Sequence, residues 1–423
     1  MKLLWLSNAP WAPSGYGSQT RQVGSRIARH HDIEFLANDR TRGDQEWEGH
    51  LVRGSSGNDR YSRDSIREDL VRSGADWLVF LYDAWVFTEG DNDPFAGLPR
   101  VAGWVPIDHY PVPQSLYGWL TAGHLPIAMS RFGFDRLTEL SVAFGENGRP
   151  TFPVVYAPHA VDDVFRPTES GFRQSLAVPA DAFLVGIVAA NSGTMIYDRK
   201  GFGDMAHALA LFMESHPDAY VYVHTIKRTF DGIDLERLYG FKGVPTERIR
   251  WADQYALKKQ SVTDADMAAI YSSLDLLLAT SRGEGFGLPV IEAQACGTPV
   301  IASNWTAQAE LVGDVWTEEG GLTSRRYPNG WLVSVDPDYD PRHGADFGKP
   351  RIPQIIGALN EAHAVWQESW QPVREAAIAK AEAYRADTVF ETYWRPILAE
   401  MEQALVVPNR ATRRAQRKLQ AVG

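Results

Sequence analysis

The sequence predicts an α/β chain made of two doubly wound domains, each a mostly parallel sheet with helices on both faces. Short apolar runs alternate with longer amphipathic stretches, which is the rhythm of buried parallel strands and covering helices. The rhythm occurs twice, in two series separated by a proline-bearing segment. The chain has 423 residues, too many for one ordinary core if a domain takes about 150 residues.

In the first series Leu3–Leu6, Ile33–Leu36, Trp77–Tyr82, Val101–Ile107, Pro126–Met129 and Val154–Ala157 read as strands. Pro158–Pro167, with Asp162-Asp163 inside it, reads as a linker. The second series runs through Phe183–Ala189, Tyr220–His224, Ile249–Trp251, Leu274–Ala279, Pro299–Ala302 and Trp331–Val335. From Ile352 the spacing is helical, and Phe390, Tyr393, Trp394, Ile397, Met401 and Leu405 mark a last apolar face. The predicted division is an N-terminal domain over 1–165, a C-terminal domain over 166–385, a helix over 386–408 that crosses back to the first domain, and a basic tail over 409–423. Doubly wound sheets bind ligands at the carboxyl ends of their strands, so the expected site lies in a cleft between the two domains.

Composition narrows the class. With 44% hydrophobic and 22% charged residues, the chain is that of a globular protein. The apolar start Leu3–Leu6 is too short for a secretory signal, and no segment reaches the length of a membrane span. The lone cysteine, Cys296, excludes an internal disulfide and predicts a reducing compartment, the cytoplasm. A formal charge of −11 argues against a surface built mainly for nucleic acid or anionic lipid. The acid-free tail, with Arg410, Arg413, Arg414, Arg417 and Lys418, reads as a solvated end. The 14 tryptophans read as core, with Trp11 a candidate sugar platform.

The sharpest signal is Ser281-Arg282-Gly283-Glu284-Gly285-Phe286-Gly287-Leu288-Pro289-Val290-Ile291-Glu292, which follows a strand and opens a helix. The glycines let backbone approach a ligand, and amides where the helix starts near Leu288 favour a diphosphate through hydrogen bonds and the helix dipole. Glu284 in the loop and Glu292 about one turn into the helix suit the hydroxyls of one nucleotide sugar. Asp-x-Asp triplets occur at Asp91–Asp93, Asp264–Asp266 and Asp336–Asp338; they read as turns or, after Thr263, as a capping box, and no metal is assigned to them.

Two glutamates with seven residues between them, then Glu292-Ala293-Gln294-Ala295-Cys296-Gly297-Thr298-Pro299-Val300, resemble the donor motif of retaining GT-B glycosyltransferases of family four, the glycosyl transferases group 1. Asp266–Asp275, Asn329–Val333 and Tyr156–Asp162 resemble further elements of the same family. The resemblance implies two Rossmann-like domains and transfer of a hexose from a UDP- or GDP-sugar to an acceptor hydroxyl, with retention and without a metal cofactor. It implies that Glu292 binds the ribose, Glu284 the transferred sugar, and the amides of Gly285, Phe286, Gly287 and Leu288 the diphosphate. Lys200, in Asp198-Arg199-Lys200-Gly201, matches the lysine that neutralises the leaving diphosphate. The family's arginine after the preceding strand is replaced here by Asn191-Ser192-Gly193, and Arg199 is the candidate substitute. Gly15 and Gly17, in Pro13-Ser14-Gly15-Tyr16-Gly17, resemble the family's N-terminal glycine loop, which touches donor phosphate and acceptor. His109 and its neighbour Asp108 compete for the position near the donor sugar.

The acceptor stays open among a protein, a glycan, a lipid-linked sugar and a modified DNA base, with negative charge disfavouring the last two. The tail from Asn409 resembles short basic tails of actinobacterial phage virion proteins, which implies a phage-encoded enzyme acting on a virion protein. The rival functions are a nucleotide-sugar epimerase of GT-B fold, a sugar-binding protein without catalysis, and an NAD-dependent oxidoreductase. For the last, Gly15-x-Gly17 follows a strand and Glu34 ends the next, but Thr20 stands where the third glycine belongs.

Overall fold

The computed structural model describes residues 1–39, 41–55, 57, 61, 63–83, 85–88, 94–98, 100–191, 198–230, 232–313 and 325–406. Two compact units form, Met1–Ala160 together with the chain from Ala386, and Val161–Arg385.

The first unit is built on an eight-stranded sheet: β1 (Lys2–Ser7), β2 (Asp32–Ala37), β3 (Asp44–Trp47), β4 (His50–Gly54), β5 (Trp77–Leu81), β6 (Val101–Val105), β7 (Leu125–Ala128) and β8 (Val155–Tyr156), in the order β3-β4-β2-β1-β5-β6-β7-β8. All neighbours are parallel except β3 with β4. Residues of β1 and β5 beyond their first positions are fully buried, as continuous apolar runs in a covered sheet should be. Trp394 belongs to this unit's core: its ring meets Trp5 at 5.6 Å and Trp104 at 4.9 Å between centroids. Such pairs contribute about 0.5–1.5 kcal/mol each beyond area burial.

The second unit carries β9 (Phe183–Val188), β10 (Ala219–His224), β11 (Ile249–Trp251), β12 (Leu276–Ala279), β13 (Val300–Ser303), β14 (Arg325–Tyr327) and β15 (Gly330–Val333), in the order β11-β10-β9-β12-β13-β15-β14. Only β14 runs antiparallel to its neighbour. A separate hairpin, β16 (Val335–Asp340) with β17 (Ala345–Pro350), follows.

Five strands were not legible in the sequence, β3, β4, β14, β16 and β17. Edge and hairpin strands bury little, so their residues show no apolar run; β3 is Asp-Gln-Glu-Trp with three exposed positions. The expected turn at Asp336–Asp338 is corrected here to the middle of β16, where Pro337 sits opposite Gly348 in a two-stranded ribbon. The capping box is present: the Thr263 hydroxyl accepts from the Asp266 amide, and the Asp266 carboxylate accepts from the Thr263 amide. The triplet Asp91–Asp93, Ser192-Gly193 and the tail from Asn409 lie outside the described residues.

In both sheets the order reverses at one place, between β1 and β5 in the first and between β9 and β12 in the second. Loops leaving the carboxyl ends of such adjacent strands diverge to opposite faces and open a crevice. The loop after β12 is Thr280–Gly287, and the segment after β9 ends in Asp198–Gly201.

Candidate functional site

Lys200 and Glu284 are 84 residues apart, yet the switch point brings them together: Lys200 Nζ donates to Glu284 Oε1 at 2.6 Å. Arg199 reaches the other carboxylate oxygen at 3.7 Å and donates to the Gly283 carbonyl at 2.8 Å. The Arg282 amide donates back to the Arg199 carbonyl at 2.8 Å. Two segments from neighbouring strands are thereby laced into one surface.

Local sequence explains why the lysine is held there. Gly201 has φ +72°, and a Cβ on it would stand 2.6 Å from the Thr280 carbonyl oxygen, so the strap touches the β12 loop only because the residue after Lys200 is glycine. Asp198 caps the helix Phe202–Ser215, accepting from the amides of Phe202 (3.0 Å) and Gly203 (2.6 Å). Burial raises its carboxyl above the usual range, with those amides opposing the shift.

The Glu284 carboxylate is governed by opposing effects. Burial pushes its pKa up, but Lys200 and then Arg199 outweigh it, so the group lies below the ordinary range and is ionised at neutral pH. Its backbone is fixed too: the Glu284 amide donates to the Thr306 hydroxyl at 3.0 Å, and the Glu284 carbonyl accepts from the Ala307 amide at 3.4 Å. Thr306 is fully buried and takes φ +52°, a left-handed conformation costly for a β-branched residue.

Of the three loop glycines, Gly287 alone has positive φ, +105°, and it starts the helix Leu288–Ala295. No side chain caps that start. Its second residue is Pro289, which has no N–H, and the Val290 amide bonds the Gly287 carbonyl at 2.9 Å. The Gly287 and Leu288 amides therefore stand at the positive end of the helix dipole. Phe286 is buried with its ring 5.8 Å from Tyr384, so it presents backbone rather than side chain.

Glu292 lies on the same helix and accepts from the Tyr271 hydroxyl at 3.0 Å. Tyr271 is fully buried; burial and the adjacent Glu292 raise its pKa, which keeps the phenol protonated as donor. Arg282 braces the loop from below through Asp204 (2.9 Å) and Asp338 (2.8 Å). Asn191, where the arginine of the resembled family is missing, ties the loop after β10 instead, donating to Ile226 and Ile233 carbonyls and accepting from the Ile233 amide.

The remaining expected residues belong to the first unit. Ser14 caps the helix Gly15–Ala28 by accepting from the Gly17 amide at 3.1 Å. A Cβ on Gly17 would stand 2.3 Å from the Ala12 carbonyl oxygen, so this glycine serves a close turn. Gly15 is exposed at the helix start, and Tyr16 between them donates to Asp83 at 2.9 Å. His109 is buried in the segment that follows β6, with its Nδ1 2.7 Å from Asp108. The candidate residues thus fall in two groups, Arg199, Lys200, Glu284, Gly285–Leu288 and Glu292 in one unit, and Gly15, Gly17, Asp108 and His109 in the other. Sequence reading missed Tyr271, Asp198 and Thr306. Asp198 and Tyr271 each stand near a quoted motif, whereas Thr306 had no spacing to mark it.

Among the described residues, no group of three or more His, Cys, Asp or Glu side chains is placed to hold a metal ion, and no helix is long and apolar enough to cross a membrane.

Residues 191–336 match the family model described as glycosyl transferases group 1. The chain is similar to the D-inositol 3-phosphate glycosyltransferase of Paenarthrobacter aurescens, 33% identical over 124 residues, which is 29% of this chain and 27% of that protein. The matched stretch therefore spans about a quarter of that relative's length. In fold it is similar to sucrose-phosphate synthase from Thermosynechococcus elongatus, with a TM-score of 0.67 at 14% identity, covering 97% of this chain and 100% of the other. Anabaena Alr3699/HepE, solved in complex with UDP and glucose, gives 0.63 at 15% identity over 95% of this chain and 100% of the other.

Proposed function

We propose that this chain, a group 1 glycosyltransferase by its family segment at residues 191–336, transfers a hexose from a nucleoside-diphosphate sugar to an acceptor hydroxyl with retention of configuration. The observation that carries the reading is the Lys200–Glu284 pair at 2.6 Å beside the uncapped start of a helix. A diphosphate needs amides and cations, a hexose needs a fixed hydroxyl acceptor, and both are present on the two laced segments after β9 and β12.

In this reading the Gly287 and Leu288 amides and the Lys200 ammonium take the diphosphate. An ammonium has three donors, so Lys200 can serve phosphate while it still holds Glu284. Positive charge there stabilises the negative charge that grows as the glycosidic bond breaks. Ionised Glu284 accepts from the sugar hydroxyls, and Glu292, oriented by Tyr271, accepts from the ribose. Arg199 adds charge at the rim of the loop. Retention follows from departure and attack on one face, with the leaving phosphate oxygen taking the acceptor proton, and the chain needs no metal because lysine, arginine and amides supply the positive field. UDP is the favoured nucleotide, since Alr3699/HepE of similar fold was solved with UDP and glucose. Gly15 and Gly17 keep the role the resemblance gives them, at donor phosphate and acceptor, and Asp108 and His109 keep theirs as candidates near the donor sugar. The acceptor is a protein or glycan hydroxyl; the phage-encoded reading and its virion-protein acceptor rest on the tail from Asn409, outside the described residues.

The test is release of nucleoside diphosphate from UDP-, GDP- and ADP-glucose, with and without chelator, by the wild-type chain and Glu292→Ala. One donor consumed by the wild type alone, at an unchanged rate with chelator, supports the reading. Turnover that survives Glu292→Ala, or that stops with chelator, contradicts the role or the metal independence respectively.

A further inference from the structure

A second concave site lies in the same unit, at the opposite end of β12. Its volume is ≈ 640 Å³, and it is lined by the segment Pro167–Gln174, the end of the helix Asp264–Ser273, the residues leading into β12, and Arg374. Since Leu274 and Asp275 precede β12 while Glu284 follows it, this cavity is separate from the loops assigned to the donor.

Its four charged side chains, Glu169, Arg173, Asp275 and Arg374, sum to zero, but among the described residues they form a single ion pair, Arg173 with Asp275. Arg173 pairs with Asp275 at 3.0 Å and donates to the Ala182 carbonyl, so its charge is matched. Arg374 has no hydrogen-bond or ion-pair partner for its guanidinium among the described residues. It is half-buried, and burial lowers its pKa against the pull of Asp275. A guanidinium stays charged under any such shift, and a partly desolvated, unmatched cation is costly unless an anion meets it. The Gly297 position leaves room for it: a Cβ there would lie 3.3 Å from the Arg374 Nη2.

The rest of the lining is polar and able to hydrogen-bond. The hydroxyls of Ser170 and Ser273 stand 3.2 Å apart, and the Ser272 hydroxyl accepts from the Thr168 amide at 3.0 Å. Glu169 and Gln174 are exposed on the same lining. The Glu169 carboxylate disfavours a bare multivalent anion but accepts hydrogen bonds from hydroxyls. An arginine without an ion-pair partner among the described residues and hydroxyl acceptors in one lining call for a ligand with an anionic end and a hydroxylated body, and the volume lies within the range of small-molecule sites.

We propose that this cavity is a second ligand site, taking a small phosphomonoester that carries hydroxyl groups, with the phosphate on Arg374 and the hydroxyls toward Glu169 and Gln174. The assignment stands apart from the donor reading and does not need it.

Isothermal titration of the full chain with glucose 6-phosphate, glucose and inorganic phosphate tests it, using the wild type, Arg374→Gln, Ser170→Glu and Lys200→Ala. Glucose 6-phosphate is expected to bind more tightly than either other probe, with affinity reduced on the order of tenfold or more by Arg374→Gln and by Ser170→Glu. Lys200→Ala should leave it unchanged. Ser170→Glu changes an exposed rim position, so it decides the matter if Arg374→Gln fails to fold. No saturation below roughly 10 mM, equal affinity for glucose or inorganic phosphate, or loss in Lys200→Ala with retention in Ser170→Glu overturns the proposal.

Discussion

Each unit carries a glycine-bearing loop at the carboxyl end of a strand beside its sheet's switch point, and the two loops employ glycine for different ends. After β1, Gly17 is consumed by packing: its missing Cβ lets the chain turn against the Ala12 carbonyl, and the Gly17 amide is spent on the Ser14 cap. After β12, Gly287 supplies a positive φ, and it opens a helix that no side chain caps. The first loop has a side-chain cap, Ser14, on the Gly17 amide, whereas the second leaves the Gly287 and Leu288 amides beside a laced Arg199–Lys200–Glu284 cluster. Glycine in a turn after a strand is therefore a weak sign of ligand binding, and the informative difference is whether a cap side chain and a charge partner occupy the helix start.

The contrast breaks most visibly at Lys200. Lys200→Ala removes the closer cation and leaves the buried Glu284 carboxylate with Arg199 at 3.7 Å. Loss of an electrostatic stabiliser of this kind is expected to lower kcat by about 10²–10³-fold, measured as nucleoside diphosphate release. An activity within a factor of a few of wild type would place the chemistry elsewhere.

Next come the glycines themselves. Gly201→Ala meets both a positive φ and the Thr280 carbonyl, and Gly17→Ala meets the Ala12 carbonyl. Each should cost about 1–3 kcal/mol of stability by denaturant unfolding. Gly201→Ala should also impair donor turnover because it moves the lysine strap, so equal activity in both folded variants would erase the distinction between the two loops.

Acid should weaken both units. Burial holds His159 in the first unit at about 3 and His224 in the second at about 4, against an ordinary 6.5. Groups depressed in the fold contribute fully above the unfolded pKa. As pH falls below about 6.5, the unfolded chain takes up protons that the fold refuses, and stability declines. Glu284, also depressed in the fold, adds its loss lower, as pH falls below the ordinary carboxylate range and through its folded value. The melting temperature should drop between about pH 7 and pH 5, and His159→Asn should make that drop shallower.

The smallest effect is expected at Tyr271. Tyr271→Phe deletes one hydrogen bond to Glu292, worth about 0.5–1.5 kcal/mol, and should raise the KM for donor several-fold with kcat little changed.

How much of this was legible depends on what each residue does. Buried strands such as β1 and β12 announce themselves because both faces are covered, while β3 and β16 are polar and gain their pairing from the chain around them. Glu284, Glu292 and Lys200 stand in contiguous motifs, and their types already fix their chemistry. Thr306 and Tyr271 do not: their contribution is to hold a backbone amide and a carboxylate from 22 and 21 residues away. Arg374 is ordinary in sequence and becomes distinctive only when its guanidinium is seen to have no hydrogen-bond or ion-pair partner among the described residues.

The central claim is that the β12 loop, with Lys200 and Glu292, binds a nucleoside diphosphate without metal. Isothermal titration of UDP and GDP into the wild type, Lys200→Ala and Glu292→Ala, with chelator present, tests it most directly. The account predicts binding of one nucleotide by the wild type and its loss in both variants. Binding that persists in both variants, or that appears only when a divalent cation is restored, would contradict it.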